Sequence, residues 1–355
     1  MVKKRKTTGS FVFCCCKFTI AFVLAAPAMA KAQADSVTTQ HLNEVTVKAF
    51  GHSAVLDSAT PVQLLDAKEL GRLNSLSVAD ALRFFSGVQL KDYGGVGGLK
   101  TINVRSMGAN HTSVFYNGVQ LANAQNGQVD LGKFSLENLE EISLFSGQNP
   151  SLLQTAKAYS SASSLYLKTR TPLFDTLQKR QVKLSLKAGS FGLVNPSVNY
   201  NRKLNRNSSI NISGEVTRAH GRYQYRYTNG VYDTTALRQN TDIDAKRIES
   251  TFFTRFADSA RLQAQAYYYH SERGLPGAIV SNKFNFSQRQ LDRNFFLQAT
   301  YQSASHKKLQ WLVNAKYSKD YLRYSDPDHK YGNRDGYLIN RYHQQEYYAS
   351  VANKY

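Results

Sequence analysis

Cysteine is almost missing from this 355-residue chain: Cys14, Cys15 and Cys16 stand side by side near the N-terminus and there are no others. If that segment is removed on export, the mature chain has no disulfide, no thiolate metal site and no cysteine nucleophile. Long apolar runs are also missing. Mean hydropathy is negative, which excludes a bundle of membrane helices. It does not exclude a membrane barrel, whose strands average lipid-facing and lumen-facing residues. Acid is scarce, with 25 Asp and Glu against 45 Lys and Arg and a formal charge of +20. Such an excess can mark a nucleic-acid binder, but here the cations are spread along strand-like segments instead of gathering in one patch. Anionic lipopolysaccharide, or a positive lumen drawing in anionic ligands, fits an exported chain better.

Catalytic constellations are missing as well. The eight histidines (His41, His52, His111, His220, His270, His306, His329 and His343) show no metal-ligand spacing. Gly94–Gly98 is glycine-rich, yet it lacks the Lys-Ser/Thr of a phosphate loop and the following helix of a dinucleotide site, and reads as a mobile loop. Asp326-Pro327-Asp328-His329, Asp242 and Asp244 read as turn residues. No enzyme and no cofactor are expected.

What is present begins with an export signal over residues 1–34. Lys3, Lys4, Arg5 and Lys6 form a basic start, Phe11–Ala26 an apolar stretch, and Ala28-Met29-Ala30 and Ala32-Gln33-Ala34 two small-x-small cleavage sites. A single anchoring helix is the alternative, disfavoured by the short span and by Lys17. Removing residues 1–34 deletes six basic residues and no acids, leaving +14. Residues 35–52 are a polar leader containing Glu44-Val45-Thr46-Val47-Lys48-Ala49, a β-prone run able to add to a partner's sheet edge or to open the next domain as its first strand.

Two sequence grammars follow. Residues 53–170 are mixed and short-segmented. Ala67–Leu70 and a stretch from the candidate N-cap Ser77 to Phe85 have helical spacing, the second stopping at Ser86-Gly87. Strands are expected at Thr101–Arg105, Thr112–Tyr116, Leu139–Leu144 and Leu165–Thr169, with Asn117-Gly118 as a type I′ hairpin turn into Val119–Leu121. Residues 171–355 give eight candidate strands: Val182–Gly189, Asn195–Arg202, Ser209–His220, Lys246–Phe256, Arg261–His270, Arg293–Gln302, Leu309–Leu322 and Tyr342–Tyr355. Apolar residues alternate in Val182/Leu184/Leu186 and in Leu262/Ala264/Ala266/Tyr268. Tight turns at 205–208, 257–260 and 303–307 lie between long polar loops near 221–245, 271–292 and 323–341, the pattern of a membrane barrel. A soluble β-sandwich also alternates and stays open at this point.

Ile102-Asn103-Val104-Arg105, His111–Leu121, Asp130-Leu131, Leu139–Ile142, Ser146-Gly147-Gln148 and Ser271–Gly277 resemble, in order, the plug and a barrel loop of the TonB-dependent outer-membrane receptors. The resemblance covers residues 42 to 280 and leans toward cobalamin receptors. It departs at Arg105-Ser106, Ser146-Gly147-Gln148 and Ser163-Ser164, where the family carries Arg-Gly, Arg-Gly-Pro and Gly-Gly. The resemblance implies an α+β plug at 53–170 followed by antiparallel transmembrane strands of an incomplete barrel at 171–355. It makes Glu44–Ala49 a TonB box and places the protein in the cell outer membrane. It also implies energised uptake of a cobalamin, siderophore or haem-class ligand held by plug loops near Lys91–Gly98 and Leu121–Gln128, with Asp92, Tyr93, Asn123, Gln125 and Asn126 as ligand contacts. TonB, outer-membrane lipids and the small molecule are the expected partners, and nucleic acid is not. Plugged barrels of this type have 22 strands, whereas eight-stranded barrels are filled by their own side chains, so the chain is expected to be an N-terminal fragment. The alternative is a surface β-rich binding protein or adhesin without transport.

Overall fold

The computed structural model describes residues 62–122, 127–175, 177–279, 286–303, 308–331 and 334–355, all within the unit Ser53–Tyr355. The signal segment, Glu44–Ala49, Asn123, Gln125 and Asn126 lie outside the described residues.

Local side-chain chemistry sets up the first layer. Strand β1 (Val62–Asp66) runs directly into helix α1 (Ala67–Arg72). Asp66 accepts from the Lys68 and Glu69 amides at 2.8 Å each, while Glu69 accepts from the Asp66 amide at 3.1 Å. This reciprocal cap satisfies amide groups that a short helix otherwise leaves bare. Before α2 (Val78–Ala81), the Ser77 amide and hydroxyl both donate to Asp80, at 3.2 and 2.8 Å. The helix tightens into a 3-10 turn at Leu82–Phe84 and stops at Gly87, whose φ is +69°.

Strands β2 (Val88–Asp92) and β3 (Lys100–Val104) form a hairpin. Lys91 and Asp92 therefore end a strand, pairing with Thr101 and Lys100, where the sequence suggested a loop from Lys91 onward. The reason is packing: Val88 and Leu90 are half-buried against the core. Next come β4 (Thr112–Tyr116), β5 (Val119–Gln120), β6 (Leu139–Phe145) and β7 (Ser163–Thr169). A five-stranded sheet runs β1-β6-β7-β4-β5, with β4 and β7 parallel. The β4–β5 turn has Asn117 and Gly118 at φ +50° and +85°, as a type I′ turn requires. A register shift between Leu139 and Glu141 lets Leu139, Ile142 and Leu144 all face inward despite their uneven spacing. With Leu82, Leu131 and Leu165 they are among the side chains sealed in the core.

The second layer is an eight-stranded antiparallel sheet: β8 (Arg180–Gly189), β9 (Leu193–Lys203), β10 (Ser208–Ala219), β13 (Ile243–Arg255), β14 (Arg261–Gly274), β15 (Arg289–Gln302), β16 (Gln310–Asp326) and β19 (Leu338–Lys354). Spatial order follows chain order, and β8 does not pair with β19, so the sheet is open. A hairpin of β11 (Tyr223–Asn229) and β12 (Tyr232–Arg238) fills the first long connection, and two-residue strands β17 (Lys330–Tyr331) and β18 (Arg334–Asp335) lie in the last. All eight expected strands are present, with most of the added length at the long-loop end. Strands β16 and β19 reach 17 residues, about 56 Å at roughly 3.3 Å per residue against about 30 Å of hydrocarbon in a bilayer. The first connection at that end, Ser190–Gly192, is only three residues long.

Side chains divide cleanly between the faces of this sheet. On the face toward the plug Asn199, Asn211, Glu249, Thr251, Gln265, Gln298 and Asn314 are buried. On the opposite face Val182, Leu184, Leu186, Ile248, Tyr347 and Val351 are exposed, Leu184 at 76% and Tyr347 at 78%.

Candidate functional site

The plug meets the long-loop end of the sheet through the segment after β2. Asp92 turns its carboxylate back on its own loop, accepting from the Gly94 and Gly95 amides at 3.1 and 2.8 Å, with Arg83 at 3.6 Å. Tyr93 is 56% exposed and points away from the core. A Cβ on Gly98 would sit 2.4 Å from the Gly94 nitrogen, and one on Gly97 would press Ile243 at 3.1 Å. Close backbone approach thus explains the glycines of a loop whose sequence suggested mobility. Gly94 lies against Pro276 of the long loop after β14.

Arg273, at the end of β14, is the centre of this junction. It is 2% exposed, and its guanidinium pairs with Asp130 of the plug at 2.9 Å and with Asp292 of β15 at 3.2 Å, and donates to the Gly97 carbonyl at 3.2 Å. Asp130 also accepts from the Lys100 and Gly132 amides at 3.1 and 3.0 Å. Lys133 of the plug donates to Asp292 and Asn294 at 3.0 Å each. Gly274, which follows Arg273, is needed because a Cβ there would lie 2.5 Å from the Asn240 carbonyl oxygen. The Arg273–Gly277 motif is thus an anchor and a close-packed corner at once.

Around this centre every one of the eight sheet strands bonds to the plug. Lys183 and Lys187 (β8) hold Glu137 at 2.7 and 3.0 Å, and Asn199 (β9) donates to Asn138 at 3.3 Å. Glu215 (β10) accepts from Ser135 at 2.5 Å and also pairs with Arg247 (β13), which donates to the Lys133 carbonyl at 3.2 Å. Glu249 accepts from Tyr116 at 2.8 Å and Asn138 at 2.5 Å. Further on, Gln298 (β15) donates to the Tyr116 carbonyl at 2.9 Å, and Lys316 (β16) to the Gln120 carbonyl at 2.9 Å. Glu346 (β19) pairs with Lys157 at 2.8 Å. The spaces left between plug and sheet include two of about 30 and 40 Å³, room for one or two waters.

Electrostatics inside the plug follows the same pairing. Burial works to raise the Asp80 carboxyl, but Lys100 at 2.9 Å, Ser77 and Arg83 hold it below its ordinary value. Burial opposes ionisation of Glu137 too, yet its bonds to Lys183 and Lys187 bring it down to about 2. The Tyr116 phenol is pushed well above its ordinary value by burial and by the Glu249 carboxylate, which keeps it a donor.

Of the expected ligand contacts, Asp92 and Tyr93 thus sit side by side at the long-loop end. Sequence reasoning did not pick out Glu215, Arg247, Glu249, Asp292 or Lys316. Their signal was a polar or charged residue recurring two positions apart within a strand, as Arg247 and Glu249 flank Ile248. Asp326 accepts from the Asp328 amide at 3.1 Å, a turn contact within the loop that sequence read as a turn.

Comparison with known proteins agrees with this geometry. Residues 54–158 match the TonB-dependent receptor plug domain. The vitamin B12 transporter BtuB of Photobacterium profundum is 29% identical over 108 residues, 30% of this chain and 18% of the relative. BtuB of Vibrio cholerae is 22% identical over 314 residues, covering 87% of this chain and 49% of the relative. The chain therefore spans about half the length of that relative. The ferric enterobactin receptor PfeA of Pseudomonas aeruginosa shares the fold with a TM-score of 0.55 at 14% identity, over 82% of this chain and 46% of that one. The siderophore receptor PiuA of Acinetobacter baumannii gives 0.55 at 12% identity, over 77% and 38%. Residues 54–158 are thus a plug domain of the TonB-dependent receptor type, seated by hydrogen bonds and ion pairs on eight antiparallel strands.

Proposed function

We propose that the complete protein to which this chain belongs is an outer-membrane receptor that takes up a scarce ligand with energy delivered through TonB. The observation that carries this reading is the inverted sheet: polar side chains face the plug and apolar ones face outward. A soluble sandwich buries its apolar face, whereas a barrel wall turns it to lipid. The tight seating of the plug supports active rather than passive passage. Along these eight strands the gaps beside the plug include two of only about 30 and 40 Å³, which supports a passage in which the plug shifts against buried ion pairs. Such work has no local ATP to drive it at the outer membrane. Glu44–Ala49, just upstream of the plug, is the segment that would pair as a strand with periplasmic TonB.

Asp92 and Tyr93, together with Asn123, Gln125 and Asn126, make up the polar surface proposed to hold the ligand. Its class is cobalamin or a metal chelate of the siderophore or haem type, as the vitamin B12 transporters and siderophore receptors among its relatives suggest. In full-length protein, deletion of Glu44–Ala49 is expected to leave ligand binding intact and to abolish uptake of labelled cyanocobalamin or ferric siderophore. Uptake continuing at the unmodified rate would refute the assignment.

A further inference from the structure

The outward face of the sheet carries a basic groove that plug seating does not use. A cavity of about 740 Å³ lies near the long-loop end across β14, β15, β16 and β19, lined by Arg293, Lys319, Arg323, Arg341 and His343 with Tyr321 among them. Cross-strand register makes this a continuous patch: His270 stands opposite Arg293, Arg293 opposite Tyr321, Tyr321 opposite His343, and Arg323 opposite Arg341. Below it the same face is apolar, with Tyr268 opposite Phe295, Leu297 opposite Tyr317 and Tyr317 opposite Tyr347.

Three observations point to an anionic occupant. Arg218 and Arg289, exposed at the same end of the sheet, are matched by carboxylates, Asp244 at 2.8 Å and Asp242 at 2.7 Å. Among the described residues, Arg293, Lys319, Arg323 and Arg341 form no ion pair, and Glu272, the acid nearest along the row, forms none with them. Arg323 directly opposite Arg341 is a like-charge pair, which destabilises a sheet unless something negative sits between. Lastly, Arg293 stacks over the Tyr321 ring at 6.0 Å and Tyr321 lies 4.7 Å from the His343 ring, so the side chains are held in place without a carboxylate.

We propose that this groove binds the phosphates of a lipid headgroup in the outer leaflet, whose acyl chains lie along the apolar band beneath. Arginine forks suit phosphate oxygens, and the apolar band favours an amphiphile over a free anion. The proposal rests on the membrane reading of the outward face, which heat-modifiable migration in detergent tests separately whatever the lipid result.

Full-length protein in detergent is titrated with bisphosphorylated lipid A, the same lipid with its phosphates removed, and pyrophosphate, with bound species read by native mass spectrometry. The bisphosphorylated lipid is expected to bind about tenfold or more tightly than the dephosphorylated one. R323Q/R341Q is expected to lose that margin, and R206Q, at the opposite end of the sheet, to keep it. Folding is checked by heat-modifiable migration, and R293Q and K319Q, each alone, supply the comparison if the double variant does not fold. Equal binding of both lipids, or unchanged binding by the variants, overturns the proposal. Pyrophosphate binding as tightly as the lipid overturns it in favour of a soluble-anion site.

Discussion

Arg273 holds two carboxylates from two layers, so its removal leaves Asp130 and Asp292 buried without their main counter-charge. R273A is expected to cost about 3–5 kcal/mol, seen as a lower midpoint for unfolding in detergent with loss of plug protection from protease. A midpoint equal to the parent's would mean that Lys133 alone suffices for Asp292. Glu137 offers a pH test. Its folded value of about 2 lies below the unfolded 4.5, so its stabilisation is complete above pH 4.5 and fades as pH falls toward 2. Unfolding followed from pH 6 to 2 should show this loss in the parent and a flatter profile in E137Q. Sequence flagged the Arg273–Gly277 motif but not its role, because the partner Asp130 is 143 residues away. Ser106 is the residue-scale departure that sequence noticed: it sits at φ +60° where the family has glycine, after Arg105 at +49°. The turn is kept and the strain falls on a side chain that ordinarily avoids this region.

At the scale of elements, periodicity made most of the fold legible. Apolar alternation marked β8 (Val182/Leu184/Leu186) and β14 (Leu262/Ala264/Ala266/Tyr268), and short turns alternating with long polar loops delimited the other sheet strands. Strands β3, β4, β6 and β7 were visible as β-branched or leucine-rich runs. Strands β1 and β2 were not: each mixes two or three apolar residues with Gln, Lys or Asp, and β1 is held by β6, distant in the chain. The Gly94–Gly98 loop was read as mobile from its glycines alone, and two of those glycines also have a packing reason. Since a Cβ at position 98 collides with backbone, G98A is expected to displace the loop. Ligand affinity in full-length protein should fall with overall unfolding little changed, as measured by equilibrium binding and detergent melts. Unaltered affinity would remove this loop from the binding surface.

At the scale of the whole molecule, charge separates by the face of the strand that carries it. Among the described residues, one set of cations and anions is buried between plug and sheet, and another set of cations faces outward near the long-loop end. That division could not be read from composition, since neighbouring residues of one strand go to opposite faces. The order of the plug sheet carries a mechanical consequence. Strand β1 is the edge strand and the N-terminal one, zipped to β6 over five residues. Its Gln63 exchanges two bonds with the Ser86 backbone, whereas Asp130 and Lys133 lie much later in the chain. Tension entering upstream of Val62 therefore loads a short edge zipper first and the ion-paired anchors last. Pulled from that end, the plug is expected to part like a seam with a loose thread, progressively instead of all at once.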